Sequence, residues 1–167
     1  MFHSLQEFTT SYEQFTACTL KLLESLTDES LPRGAASGHR GAGQVAWHIV
    51  TSVPEMMSHT GLELSPFDHT APPPKKAAEI VSAYRRVTGE LLESIRSQWT
   101  DETLAVTDDM YGNQWPRGLT LRILLDHEIH HRGQLTVLMR HAGLIVPGIF
   151  GPAKEEWAKF GAQPPEY

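Results

Sequence analysis

Apolar positions recur at helical spacing in four segments of this chain. In the first, Leu5, Phe8, Tyr12, Phe15, Thr19, Leu22, Leu23 and Leu26 fall mostly at steps of three and four and make one stripe. Pro32-Arg33-Gly34 breaks the chain, and a Gly-rich linker through Gly38, Gly41 and Gly43 follows. The second segment starts near Ala42 and runs towards Thr60 with Pro54 inside it. Proline has no N–H to offer the Val50 carbonyl, so the pattern predicts a kink or a break there. Gly61 to Pro74 reads as loop, punctuated by Pro66, Pro72, Pro73 and Pro74. The third segment, Lys75 to about Thr100, carries Ile80, Tyr84, Val87, Leu91, Ile95 and Trp99 on one face. Asp101 to Gly118 is rich in turn residues, with a short strand predicted within Thr103 to Met110. The fourth segment, Thr120 to about His141, gives the strongest amphipathic signal, and Gly143 is placed to stop it. In the tail a short helical stretch is predicted around Glu155-Glu156-Trp157.

Four amphipathic helices and little strand pattern predict an all-α protein, a four-helix bundle in a single domain spanning residues 1–167. The connection between the second and third helices is about 13 residues, beyond the usual 2–8, which permits a crossover along the bundle.

Composition narrows function by exclusion. The chain has 40 % apolar and 20 % charged residues and a net charge of -6. No Lys/Arg cluster exceeds two residues, so nucleic acid is not an expected partner. No apolar run approaches the roughly 18–20 residues of a membrane span, and the N-terminus has no signal-peptide pattern. Cys18 stands alone, so an internal disulfide is excluded and a cytoplasmic location is expected.

The nine histidines change the picture through position rather than number. His127 and His131 lie one helical turn apart, so their rings project from one face. That face is the apolar one: Thr120, Leu124, His127, His131, Leu135 and Leu138 form a continuous stripe. Imidazoles in core slots need partners, and one ion would satisfy both. On the second helix His48 shares a face with Val45, Ile49 and Ser52. A lone inward histidine can equally be a hydrogen-bonded core residue. In a bundle, however, inward residues of facing helices meet, and metal sites are built that way. The residues therefore predict one divalent ion on His48, His127 and His131. Three imidazoles with one open position form a catalytic rather than a structural arrangement. Zinc or nickel is the first expectation, with iron, copper or manganese as alternatives. His130 lies off the stripe, and His3, His39, His59, His69 and His141 read as solvated. Cys18 reads as a small core residue and Asp108-Asp109 as a turn.

His127-Glu128-Ile129-His130-His131 also matches H-E-x-x-H, in which the glutamate is the general base of a zinc protease. The extended form of that motif fails, because Gln134 and Val137 stand where glycine and histidine are required. The protease stays a remote alternative. The sequence leaves Glu128 open between a base and a solvated neighbour of His127.

A second match is broader. The run His127-Glu128-Ile129-His130-His131-Arg132-Gly133-Gln134-Leu135 resembles the fourth-helix motif of the DinB/YfiT-like family. Gln44-Val45-Ala46-Trp47-His48-Ile49 resembles its second-helix motif, and Val146-Pro147-Gly148-Ile149-Phe150-Gly151-Pro152 the tail of one branch. The resemblance implies an up-down-down-up four-helix bundle and a metal on His48, His127 and His131. It also implies a homodimer, and in some relatives chemistry with a low-molecular-weight thiol. Two functions stay open. One is a metal-dependent enzyme acting on a small molecule, either a thiol-dependent S-transferase or a metal-assisted hydrolase. The other is a metal-binding stress protein without catalysis.

Overall fold

The computed structural model describes residues 1–34 and 38–166. Residues 35–37, in the Gly-rich linker, and 167, the last of the expected domain, lie outside the described residues. Four long helices carry the fold: α1 (Leu5–Glu24), α2 (Ala42–Ser58), α3 (Ala77–Gln98) and α4 (Arg117–His141). The starts of α1 and α3 are capped, one locally and one from a distant segment. The Ser4 side chain accepts from the Glu7 amide at the head of α1. Asp28, in the α1–α2 connection, reaches across to accept from the Ala77 amide at 2.9 Å and pairs with Lys76 at 2.8 Å. Those contacts lower the Asp28 carboxyl from its ordinary value, the Lys76 bond first.

Of the kink or break predicted at Pro54, the break does not occur, since helix α2 runs through it. Shortly before Pro54, Ser52 and Thr51 both donate to the His48 carbonyl, at 2.6 and 3.3 Å. The segment before α4 holds the short strand expected within Thr103 to Met110 and a second that was not expected. A 3-10 turn over Asp101–Ala105 leads into a hairpin of β1 (Thr107–Met110) and β2 (Asn113–Pro116), in register Thr107 to Pro116 and Met110 to Asn113. The second strand was hidden behind Gly112-Asn113 and Pro116, which read as turn. Asp108 and Asp109 are adjacent strand residues rather than a turn, and they part. Asp108 pairs with Arg117 at 2.8 Å, while Asp109 accepts from the Gly112 amide. Arg117, anchored in this way, opens α4 three residues before Thr120.

Contacts between helices give their directions. Helices α1 and α4 run parallel: Phe2 N–H donates to the Gly118 carbonyl at one end, and Arg132 reaches the Phe15 carbonyl further along both. Helices α1 and α3 run antiparallel, with Glu13 on Arg96 and Glu24 on Arg85. Past the end of α2, Glu63 meets Gln98 at the end of α3, so those two run the same way. The order is up, down, down, up. Around the bundle α1 packs on α3 and α4, and α2 packs on α3 and α4, so sequential helices α1 and α2 sit across a diagonal, as do α3 and α4. The long α2–α3 connection is tied down at Trp47, whose indole N–H donates to the Ala71 carbonyl at 2.8 Å. Among the described residues, no helix is long and apolar enough to cross a membrane.

The core includes Phe8, Tyr12, Leu22, Ile49, Val50, Ile80, Tyr84, Leu91, Leu121 and Leu135. Helix α4 is buried on two sides, so its apolar and polar residues segregate least of the four, against the sequence expectation. Its first turn admits no side chain at Gly118, because a Cβ there would run into the Phe2 carbonyl. Gly118→Val is therefore expected to displace the N-terminal strap and destabilise the protein by about 1–3 kcal/mol. A denaturant melt checks this, and a midpoint equal to that of the parent would contradict it.

Candidate metal centre

His48 comes from the N-terminal half of α2, and His127 and His131 from α4, whose C-terminal half lies against it. The structure brings the three rings together. Centroids of His48 lie 5.0 Å from His127 and 4.5 Å from His131, and the α4 pair is 4.3 Å apart. One ring nitrogen from each lies within 4.8 Å of the others. His131 is buried at 7 % exposure, and His48 and His127 are partly buried. His130 is on the surface, and His3, His69 and His141 take no part.

The α4 pair tests the site for an ion. Its two Nε2 atoms are 3.0 Å apart. Two bonds of about 2.0–2.1 Å at angles of roughly 90–110° place their donor atoms about 2.9–3.4 Å apart. The spacing fits two ligands of one ion. The tautomer fits as well. Gln134 Oε1 lies 2.8 Å from His131 Nδ1, and an amide oxygen can only accept. The proton of a neutral His131 ring is therefore on Nδ1, which leaves the Nε2 lone pair facing His127. Gln134 is oriented in turn by its amide nitrogen, 3.0 Å from His130 Nε2. This is the outer support that metal-binding histidines use. Sequence reasoning placed Gln134 in a motif without a role; its i+3 step from His131 was the available signal. Gln134→Leu is expected to weaken zinc binding by about 10- to 100-fold, with Gln134→Glu retaining most of it. Competition against a chromophoric chelator measures this, and unchanged affinity would exclude the orienting role.

Electrostatics keep the rings neutral. Burial holds the His48 ring down to about 4, and the neighbouring His131, His127 and Arg40 charges add to the effect. Burial also lowers His127 and His131. Neutral imidazoles are the form that binds metal.

Glu128 is neither the base nor the solvated residue that the sequence left open. It is 3 % exposed and points to the other side of α4. Its Oε1 accepts from Thr19 of α1 at 2.6 Å and from Tyr84 of α3 at 2.8 Å. Burial raises its carboxyl above the ordinary value, and the Thr19 and Tyr84 bonds oppose that. Arg132 continues the cluster, donating to the Phe15 carbonyl at 3.2 Å, with its guanidinium over the Phe15 and Phe150 rings. The H-E-x-x-H protease needs its glutamate on the ion's side, so this geometry speaks against it. Among the described residues, the two-stranded hairpin is the only sheet, with one isolated bridge between Gly34 and Gly41.

Two groups near the triad were missed. The hairpin tip brings Tyr111 onto α2, where its hydroxyl donates to Glu55 at 2.8 Å and its ring lies 5.1 Å from His59. Tyr111 takes a left-handed backbone at φ 57, which costs a bulky residue about 1–2 kcal/mol. The Glu55 bond helps to hold it there. On the opposite side of the triad a cavity of about 440 Å³ opens beside His131, lined by His39, Arg40, Val45, Gln134, Val137 and Leu138. His39, read as solvated, thus lies at a cavity wall.

Comparison with known proteins gives the family and the fold. The DinB family model matches residues 1–166. Protein YrdA of Bacillus subtilis (strain 168) is 44 % identical over 166 residues, covering 99 % of both chains. The crystal structure of a DinB-like protein from Bacillus cereus ATCC 10987 superposes with a TM-score of 0.87 at 43 % identity, over 90 % of this chain and 100 % of that one. A DinB-like protein of Bacillus subtilis, YjoA, shares the fold at a TM-score of 0.66 and 22 % identity, over 82 % of this chain and 92 % of that one.

Proposed function

The chain belongs to the DinB family, and from that premise and the geometry of its three histidines we propose that it is a metal-dependent enzyme acting on a small molecule. The observation that carries this reading is the convergence of His48, His127 and His131 beside an open cavity, with Gln134 setting the tautomer of His131. A closed site would suit storage or structure; a protein ligand set of three with access to a fourth position suits catalysis.

Zinc or nickel is the proposed ion, held by ring nitrogens of the three histidines. When bound, such an ion supplies Lewis acidity and lowers the pKa of a water or thiol in its open position. The chain's own residues do the rest. Burial keeps the three rings unprotonated, Gln134 fixes one of them, and Val45, Val137 and Leu138 give the adjacent cavity an apolar wall. The reaction is either thiol-dependent S-transfer or hydrolysis. Glu128 takes no direct part, since Thr19 and Tyr84 occupy it on the far side of α4.

Elemental analysis of purified protein is the first test, followed by turnover of electrophilic acceptors with and without low-molecular-weight thiols. We expect about one ion per chain and metal-dependent turnover. Stoichiometric metal with no turnover of any acceptor would favour the stress-protein reading, and absence of metal after loading would reject both. A homodimer is also proposed. Ile129 and Gly133 lie one turn apart on the outer face of α4, and both are exposed. Light scattering should give twice the monomer mass.

A further inference from the structure

The cavity beside His131 has one fixed cation among its lining residues, Arg40. The guanidinium stands close enough to bear on all three rings of the triad. Arg40 is exposed, and among the described residues its side chain has no hydrogen-bond or ion-pair partner, as those of Arg33 and Arg86 have none, whereas Arg85, Arg96, Arg117, Arg122 and Arg140 each sit on a carboxylate. In a chain of net charge -6, an arginine left unpaired at the mouth of a cavity calls for an explanation.

The backbone nearby does not supply one. Arg40 immediately precedes α2, and helix N-termini attract anions. The first amides of that helix are already engaged: Gly41 N–H on Gln44 Oε1, Ala42 on the Arg33 carbonyl, and Gly43 on the Leu31 carbonyl. Recognition of a negative group therefore falls to the side chain. Of the other polar groups in the wall, Gln134 is occupied by His130 and His131, and His39 lies beside Arg40.

We propose that Arg40 is a substrate-binding residue, and that the ligand is a small molecule with a free carboxylate at one end and a metal-binding donor at the other. The proposal rests on the metal reading above. A volume of about 440 Å³ is that of a small-molecule site. Val45, Val137 and Leu138 also line it and suit a short hydrocarbon spacer. A guanidinium presents a planar fork that matches a carboxylate. A doubly charged phosphate would meet a single cation here, without free amides to complete its neutralisation.

Two hydroxamates of similar length test this on zinc-loaded protein by calorimetry. One is 4-(hydroxyamino)-4-oxobutanoate, with a free carboxylate; the other is butanehydroxamate, with a methyl in its place. Both can chelate an ion that has an open position. We expect the carboxylate ligand to bind about tenfold tighter at low salt, the range of one charged hydrogen-bonded contact. The preference should shrink at high salt and vanish in Arg40→Gln, with zinc content and butanehydroxamate affinity unchanged. Equal binding of the two ligands, or a preference that survives Arg40→Gln, would overturn the role of Arg40 and leave the metal reading intact. If neither hydroxamate binds the zinc-loaded protein, the open position is absent, and the proposal falls together with the reading beneath it.

Discussion

Replacing His48 with alanine is expected to weaken zinc binding by at least about a hundredfold, beyond the loss that outer supports such as Gln134 produce. The histidine pair on α4 would remain, and its Nε2 atoms at 3.0 Å could still hold an ion loosely. The third arm comes from a different helix, so its loss should also remove most of the ion's effect on the melting temperature. The same experiment run against pH has a definite sign. The unfolded chain takes up protons on these imidazoles near the ordinary value of about 6.5, whereas folded His48 resists until about 4. For the metal-free protein, this contribution to stability is therefore fully present above the ordinary value. It is lost progressively as the pH falls from there towards about 4. Zinc-loaded protein should release its ion on the way down, because protons compete for the ring nitrogens. Metal-free His48→Ala should show a smaller loss of stability over that interval. Equal zinc affinity in parent and His48→Ala would remove the three-ligand centre from consideration.

The second large effect is expected on the opposite side of α4. Glu128→Leu leaves the hydroxyls of Thr19 and Tyr84 without their acceptor and Arg132 without a nearby negative charge, all in the interior. Arg132 keeps the Phe15 carbonyl, and each orphaned hydroxyl costs about 1–2 kcal/mol where leucine fills the space, so a loss of roughly 2–4 kcal/mol is expected overall. In a chain of this size that is a fall of about 5–15 °C in melting temperature. Glu128→Gln keeps one acceptor and should lose less. Zinc affinity of the folded variants should stay close to that of the parent. An acid that served the ion's chemistry would behave in reverse, with turnover abolished and the melt unmoved. The two variants therefore separate a clamp between helices from a general base.

The contrast between His127 and Glu128 also marks how far the chain could be read unaided. Helix positions followed from periodicity, and the α4 pair and His48 from their places on apolar stripes. Those signals are local, because ring and stripe lie on one helix. Glu128 is one residue from His127 and about 100° around the helix. Its surroundings depend on where α1 and α3 pack, which no local pattern states. For the same reason α4 looked one-sided when it is enclosed on two sides. Pro54 predicted a kink or a break because a proline removes a hydrogen bond; it did not reveal that packing would keep α2 one helix. Arg40 and Tyr111 sit in segments whose composition reads as loop, and they gain meaning from the helix each loop is folded against.

The diagonal placement of sequential helices has a consequence for how the molecule could be taken apart. A cut in the 61–76 connection would give one piece with α1 and α2 and another with α3 and α4. In each piece the two helices barely touch, so neither could bury an apolar face alone. The pieces should be largely unstructured when separate and should fold by interlocking, each helix of one piece lying between the two of the other. His48 would be on one piece and His127 and His131 on the other. Zinc would then act as a bolt between them, and their affinity for each other would rise with its concentration.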